Sequence, residues 1–156
     1  TIVIVREDLL ARALPITPSF MHYKTMAANN SMLNTPPCFA IYMVGLVLKD
    51  LIARGGLAAA EQRNIEKSKL LYDCIDKSEL FSCPVRAHDR SRMNVVFRSE
   101  RSETDAAFLK FTEARGLKQL KGHRSVGGIR ASLYNAMPLA GVETLVAAIQ
   151  EFEHRG

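Results

Sequence analysis

The chain opens on an unbroken β-branched run, "TIVIV", which reads as a buried strand because no polar position interrupts it. A short helix is expected over "REDLLARAL", ended ahead of Pro15 and Pro18. Residues 15–37 then lose all period, with Pro, Thr, Asn and Ser spread throughout, and read as one long irregular connection. At "NTPP" the rhythm changes. Thr35 can cap a helix with its hydroxyl, Pro36 suits the first helical position, and an apolar helix follows to about Arg54, where Gly55 and Gly56 stop it.

Further along, the pattern is clearer. A helix is predicted from near Leu57 to about Lys77, with Ile65, Leu70, Leu71 and Ile75 mostly at helical spacing and charges on its other side. "CPVRAHDRS" is rich in turn residues, and Arg92–Ser99 reads as a strand. "SETDAAFLKFTEARG" reads as a helix capped by Ser102 and stopped by Gly116. Short strands are expected at Leu117–Leu120 and Gly128–Leu133, and a last helix over Leu139–Glu153. From about residue 58 the order is α-β-α-β-β-α, a compact α+β unit.

Composition changes this picture little, and charge more. With 47% hydrophobic and 24% charged residues the chain is ordinary for a globular protein, but its net charge of +5 favours anionic partners. The cations are scattered and Trp is absent, which argues against a nucleic-acid partner. The longest apolar run, Phe39–Leu48, is about half the roughly 20 residues that a membrane span needs, so no membrane anchor is expected. Cys38, Cys74 and Cys83 lack metal-ligand spacing, and His22, His88 and His154 are far apart, so no metal site is expected. A reducing compartment fits the three cysteines. Cys74 sits on an apolar helix face and reads as core rather than nucleophile.

Three places could hold an anion. In "LKGHRSVGGIRASLYNAMP", Arg124 and Arg130 can each bind a carboxylate or phosphate bidentately, His123 can donate from a ring nitrogen, and Gly127–Gly128 permit a sharp fold-back. A solvated hairpin with surface arginines explains the same residues, and the pattern alone does not choose. At "NTPP", Asn34 and Thr35 beside a helix N-terminus could hold phosphate, although an ordinary cap is the simpler account. In "RSRMN", Arg90 and Arg92 flank a strand end near Asp89, and a structural role is favoured. No complete catalytic constellation is present in these residues.

"NTPPCFAIYMVGLVLKDL", "RSRMNVVF" and "KGHRSVGGIRASLYNAMPLAGVETL", in that order, resemble the C-terminal part of the phosphoserine aminotransferase family, and the likeness covers essentially the whole chain. These are class V pyridoxal-phosphate enzymes of fold type I that transfer an amino group between glutamate and 3-phosphohydroxypyruvate, often serving pyridoxine synthesis as well. The resemblance implies an α/β fold in which residues 1–57 end a large cofactor-binding domain and 58–156 form a small α+β C-terminal domain. It implies that Arg130 clamps the substrate α-carboxylate, that His123 and Arg124 meet the distal phosphate or carboxylate, and that Asn34 and Thr35 reach the phosphate of a neighbouring subunit's pyridoxal 5'-phosphate. The Schiff-base lysine is implied to precede Thr1, so residue 1 is expected to cut through a larger domain and this chain by itself to be inactive. The expected assembly is a homodimer, or a complex with a chain carrying the N-terminal part; the compartment is the cytoplasm, or a plastid in a photosynthetic eukaryote. Another class V aminotransferase, or a non-catalytic anion-binding module, is the alternative. His22 departs from the family pattern, which has an acidic residue before Tyr23.

Overall fold

The computed structural model describes residues 2–155 and divides into two compact units, Thr1–Asp50 and Leu51–Gly156. Its class is α/β, helix-rich with a small sheet.

In the first unit the expected opening strand is not formed: residues 2–5 have no regular structure. A β-branched run makes a strand only beside another strand, and the described residues of this unit offer none. "REDLLARAL" contracts to a single 3-10 turn at Glu7–Leu9, since so short a segment cannot offset the cost of helix nucleation. The long connection is more ordered than its sequence suggests. It holds a 3-10 turn at Ser19–Met21 and a helix, α1, at Tyr23–Ala28. His22, just before α1, donates from Nε2 to the Thr17 carbonyl at 2.8 Å, which a carboxylate in its place could not do.

Helix α2 spans Cys38–Ala53 and has no buried residue. Phe39, Ile41, Tyr42, Val47 and Ile52 are all more than half exposed, so it is apolar around its circumference without being covered. The expected Thr35 cap is corrected: Ile41 N–H bonds to Pro37 O, which puts the cap at Pro37 and leaves Thr35 outside the helix. Gly55 and Gly56, both at positive φ, turn the chain into α3 (Gly56–Ile75), as the sequence predicts.

The second unit holds the core. Strands β1 (Asn94–Phe97) and β2 (Ile129–Ser132) pair antiparallel, with Val96 opposite Arg130 and Phe97 opposite Ile129. Val95, Phe97, Ile129 and Ala131 point to one face and are buried among Leu71 and Ile75 of α3, Phe108 of α4 (Ser102–Glu113) and Val142, Leu145 and Ile149 of α5 (Leu139–Glu153). Phe81 sits edge-on to Phe97 and Phe108, with ring centroids 5.5 and 4.9 Å away. Cys74 packs against this cluster, and burial pushes its thiol upward, which suits a core residue and not a nucleophile.

Two more expectations need correction. Ser102 is the first residue of α4 and not its cap; Asp105 instead reaches back to accept from the Ser99 N–H and hydroxyl, at 2.8 and 2.9 Å. Gly116 does end the helix, at φ +80°. The strand expected at 117–120 reduces to one bridge between Lys121 and Ile129, because Gln119 has φ +63°, which no strand accommodates.

The buried face of α3 carries a residue whose charge hid its role. Lys67 is 4% exposed, and its ammonium donates to the carbonyls of Leu133, Tyr134 and Met137 at 3.0–3.1 Å. Asn64, one turn earlier, donates to Asn135 at 2.8 Å, so α3 fastens the whole connection between β2 and α5. Desolvation, followed by the charges of Arg63 and Arg54, lowers the pKa of Lys67 below the ordinary 10.5. Lys67→Met relieves that burial but leaves three carbonyls without their donor. We expect a net loss of about 1–3 kcal/mol in urea unfolding, and an unchanged midpoint would refute the fastening role.

Arg90 clasps Asp76 through its two terminal guanidinium nitrogens, at 2.6 and 2.7 Å, and lies 4.7 Å from the Tyr72 ring centroid. The hydrogen bonds from Arg90 hold the Asp76 carboxyl below its ordinary 3.8. A depressed acid contributes stability above its unfolded value and loses it as pH falls through the folded one. Acid titration of stability should therefore show a component below pH 3.8 that Asp76→Asn removes; because Asp76 is half exposed, it should be worth no more than about 1 kcal/mol.

Candidate anion-binding site

Arg130 occupies the second position of β2, on the face turned away from the core, opposite Val96 of β1. Its backbone is held from both sides. The strand pairing fixes one edge, and on the other its N–H bonds to Leu120 O at 2.7 Å. The side chain is different: Nε is buried and has no hydrogen-bond partner, and the guanidinium makes no ion pair among the described residues. A desolvated guanidinium N–H without an acceptor is costly. The terminal nitrogens also have no partner among the described residues, and such a pair can bind a carboxylate or a phosphate.

The turn before β2 carries the other two residues. Gly122 N–H bonds to Gly128 O at 2.9 Å and closes a loop whose tip is His123, Arg124, Ser125, Val126 and Gly127, all exposed. Within it, Val126 and Gly127 both donate to His123 O, at 2.9 and 2.8 Å. Gly127 and Gly128 take φ of +76° and +67°, which the sequence anticipated. Gly122 was not anticipated. A Cβ there would lie 2.0 Å from Gly127 O and 2.7 Å from Gly128 O, so only glycine lets the two backbone arms approach. Its signal in the sequence was a third glycine at the foot of the same loop.

His123 and Arg124 therefore sit on an exposed, backbone-locked turn, and Arg130 stands on the strand into which that turn feeds. Arg124 has no ion pair or side-chain hydrogen bond among the described residues. The alternative candidates are engaged elsewhere: Arg90 by Asp76, and Arg92 by Glu61 at 2.7 Å. Both are structural, as expected, though neither pairs with Asp89. Asn34 and Thr35 lie in the first unit, exposed, just ahead of α2. There Pro36 and Pro37 have no N–H and that of Cys38 bonds to Pro36 O, while among the described residues those of Phe39 and Ala40 show no backbone acceptor; two N–H groups at a helix start are of the kind that can receive a phosphate. A groove of about 880 Å³ lined by Glu79, Glu103, Phe152, His154 and Arg155, among others, includes none of these residues. Among the described residues no cluster could hold a metal ion, and no helix is long and apolar enough to cross a membrane.

The chain belongs to the class-V aminotransferase family, whose model matches residues 1–145. Within that family it is similar to phosphoserine aminotransferases. It is 60% identical to that of Nitrosomonas europaea over 97% of this chain and 42% of the relative, and 57% identical to that of Paraburkholderia phymatum over 100% and 43%. Among solved structures, the phosphoserine aminotransferase of Bacillus circulans subsp. alkalophilus superposes with a TM-score of 0.92 at 46% identity, covering 97% of this chain and 43% of that one. The pyridoxal-phosphate-bound enzyme of Trichomonas vaginalis gives 0.87 at 42% identity, over 94% and 42%. The chain thus spans about 43% of the length of the curated relatives it matches.

The lock at Gly122 can be tested directly. Gly122→Ala should cost about 1–3 kcal/mol, because the clash is with backbone and cannot be relieved by a side-chain rotation. Denaturant unfolding measures it, and a change under about 0.5 kcal/mol, within the ordinary range for surface substitutions, would show that the arms can separate freely.

Proposed function

We propose that the full-length protein is a phosphoserine aminotransferase, converting 3-phosphohydroxypyruvate and glutamate to phosphoserine and 2-oxoglutarate in serine biosynthesis, with pyridoxal 5'-phosphate as cofactor. The observation that carries the reading is Arg130: a strand-mounted guanidinium with a buried, unsatisfied Nε, next to a glycine-locked turn bearing two more anion-binding side chains. The high identity to relatives bearing that name supports it.

In this reading Arg130 takes the α-carboxylate that every substrate shares, through the terminal nitrogens of its guanidinium. His123 and Arg124 take the distal group, which is a phosphate in one half-reaction and a carboxylate in the other. The cofactor supplies the electrophilic carbon and the electron sink for amino-group transfer. Asn34 and Thr35 reach across to the phosphate of the neighbouring subunit's cofactor, aided by the positive end of α2. The residues of this chain thus bind and orient, holding the substrate at both ends so that its reacting carbon is presented in one place.

The partners follow from the same reading. A helix apolar on all sides is stable in water only when covered. We assign the surface of α2 to the remainder of the full-length chain and to a second subunit, forming a homodimer. Its location would be the cytoplasm.

Arg130→Ala in the full-length enzyme should lower kcat/KM by roughly two to three orders of magnitude, the equivalent of about 3–4 kcal/mol for one partner of a desolvated ion pair. Arg130→Lys keeps the charge but not the planar fork, and most of the defect should remain. Glutamate and phosphoserine should suffer alike, since both present the same carboxylate. Arg124→Ala should weigh more on phosphoserine, whose distal group carries the larger charge. Kinetics with each substrate decide the matter: an Arg130→Ala enzyme that spares one substrate would overturn the assignment.

A further inference from the structure

We propose that Ser125 is a positioning residue that fixes the proton of His123 on Nε2, so that His123 meets the substrate's distal anion as a neutral hydrogen-bond donor. This rests on the reading of His123 as a substrate-binding residue given above.

The geometry is explicit. Ser125 approaches one nitrogen of the His123 ring twice: its hydroxyl lies 2.7 Å from Nδ1, and its backbone N–H donates to the same atom at 3.3 Å. A hydroxyl can serve as donor or acceptor, but a backbone N–H can only donate. Nδ1 must therefore present its lone pair to Ser125, and a proton there would point at another proton. The hydroxyl then donates into the same lone pair, and the ring hydrogen resides on Nε2. Nothing in the described residues bonds to Nε2 of His123, so that N–H remains available to an incoming anion.

The turn is built to keep this arrangement. The two N–H groups that follow Ser125, those of Val126 and Gly127, are both directed at His123 O, which holds the backbone of residue 123 against that of the next three residues. The Gly122–Gly128 closure fixes the base of the loop. The ring and the hydroxyl that orients it are thus two residues apart on one turn closed by its own backbone bonds.

A division of labour between neighbours follows. Arg124 brings a permanent charge, and His123 brings one directed N–H without charge. The substrates differ in the charge of their distal groups, and a neutral donor satisfies an oxygen of either without adding to the preference for the more highly charged one. Ser125 then governs how well the distal group is held and not the chemistry at the reacting carbon.

The test uses the full-length holoenzyme labelled with 15N-histidine at pH 8, above the ordinary histidine range of about 6.5. The His123 signals are assigned by their loss in His123→Gln. We expect a bare, hydrogen-bonded Nδ1 and a protonated Nε2. Ser125→Ala, which leaves only the longer backbone bond, should shift the Nδ1 signal and admit the Nδ1–H form, and Ser125→Thr should restore the original signal. In kinetics, Ser125→Ala should raise KM for phosphoserine by about 3–10-fold, the worth of one neutral hydrogen bond, with kcat little changed. His123→Gln, whose amide can place an N–H near the Nε2 position, should retain more affinity than His123→Asn. A protonated Nδ1 in the unaltered enzyme, or an Nδ1 signal that Ser125→Ala does not move, overturns the proposal. If His123→Ala itself leaves KM for both substrates unchanged, the substrate-binding reading of His123 fails, and the positioning role fails with it. A His123→Ala defect that Ser125→Ala does not share rejects Ser125 alone.

Discussion

The ammonium of Lys67, buried with no carboxylate partner among the described residues, is the interaction on which the geometry of the second unit turns. Three carbonyls, from Leu133, Tyr134 and Met137, converge on its three protons. These carbonyls belong to the connection that leaves β2, so the end of the strand bearing Arg130 is tied to α3 by one side chain. A compact, tetrahedral donor suits three separately placed acceptors in a way that a planar guanidinium would not. Desolvation opposes the charge, and the carbonyl dipoles offset it. The result is a polar rivet set into the apolar seam formed by Leu71, Tyr72 and Ile75.

The residues proposed to hold the substrate stand on unequal mechanical footing. Arg130 is part of a sheet, its strand paired with β1 on one edge, its own N–H bonded to Leu120 on the other and the core packed beneath the strand. His123 and Arg124 are at an exposed tip, held by bonds within the loop itself. A group common to every substrate can be met by a rigid clamp. A group that alternates between a planar carboxylate and a tetrahedral phosphate is better met from a turn, where small adjustments do not disturb the core.

Much of this was legible in the sequence, and the failures have physical causes. Helix α3 is marked by apolar spacing, and the ends of α2 and α4 by Gly55, Gly56 and Gly116, which are local signals. Arg124 and Arg130 stood out because bidentate donors beside paired glycines are chemically unusual. The opening run misled because strand formation depends on a neighbour that composition does not reveal. Helix α1 escaped because six residues give too little period to detect. Lys67 lies on the same helical stripe as Leu71 and Ile75, but charge is ordinarily read as solvent-facing, and its acceptors are more than 60 residues away in sequence. The need for glycine at 122 is not legible in the sequence, because it arises from an approach between two arms that only the folded loop brings together.

The small size of the sheet has a consequence for the behaviour of this chain in a crowded solution. A two-stranded ribbon ordinarily has two open flanks, each able to recruit a strand from another molecule. Here Ser82 exchanges both backbone bonds with Arg98 directly after β1, and residues 120–122 occupy the backbone groups of Gly128 and Arg130 along β2. Single bridges, too short to count as strands, thus act as bumpers that leave little of the ribbon for edge-to-edge accretion. The hazard of self-association shifts away from β-type stacking and onto the greasy flanks of α2, where it takes the form of side-chain stickiness that a specific partner can replace.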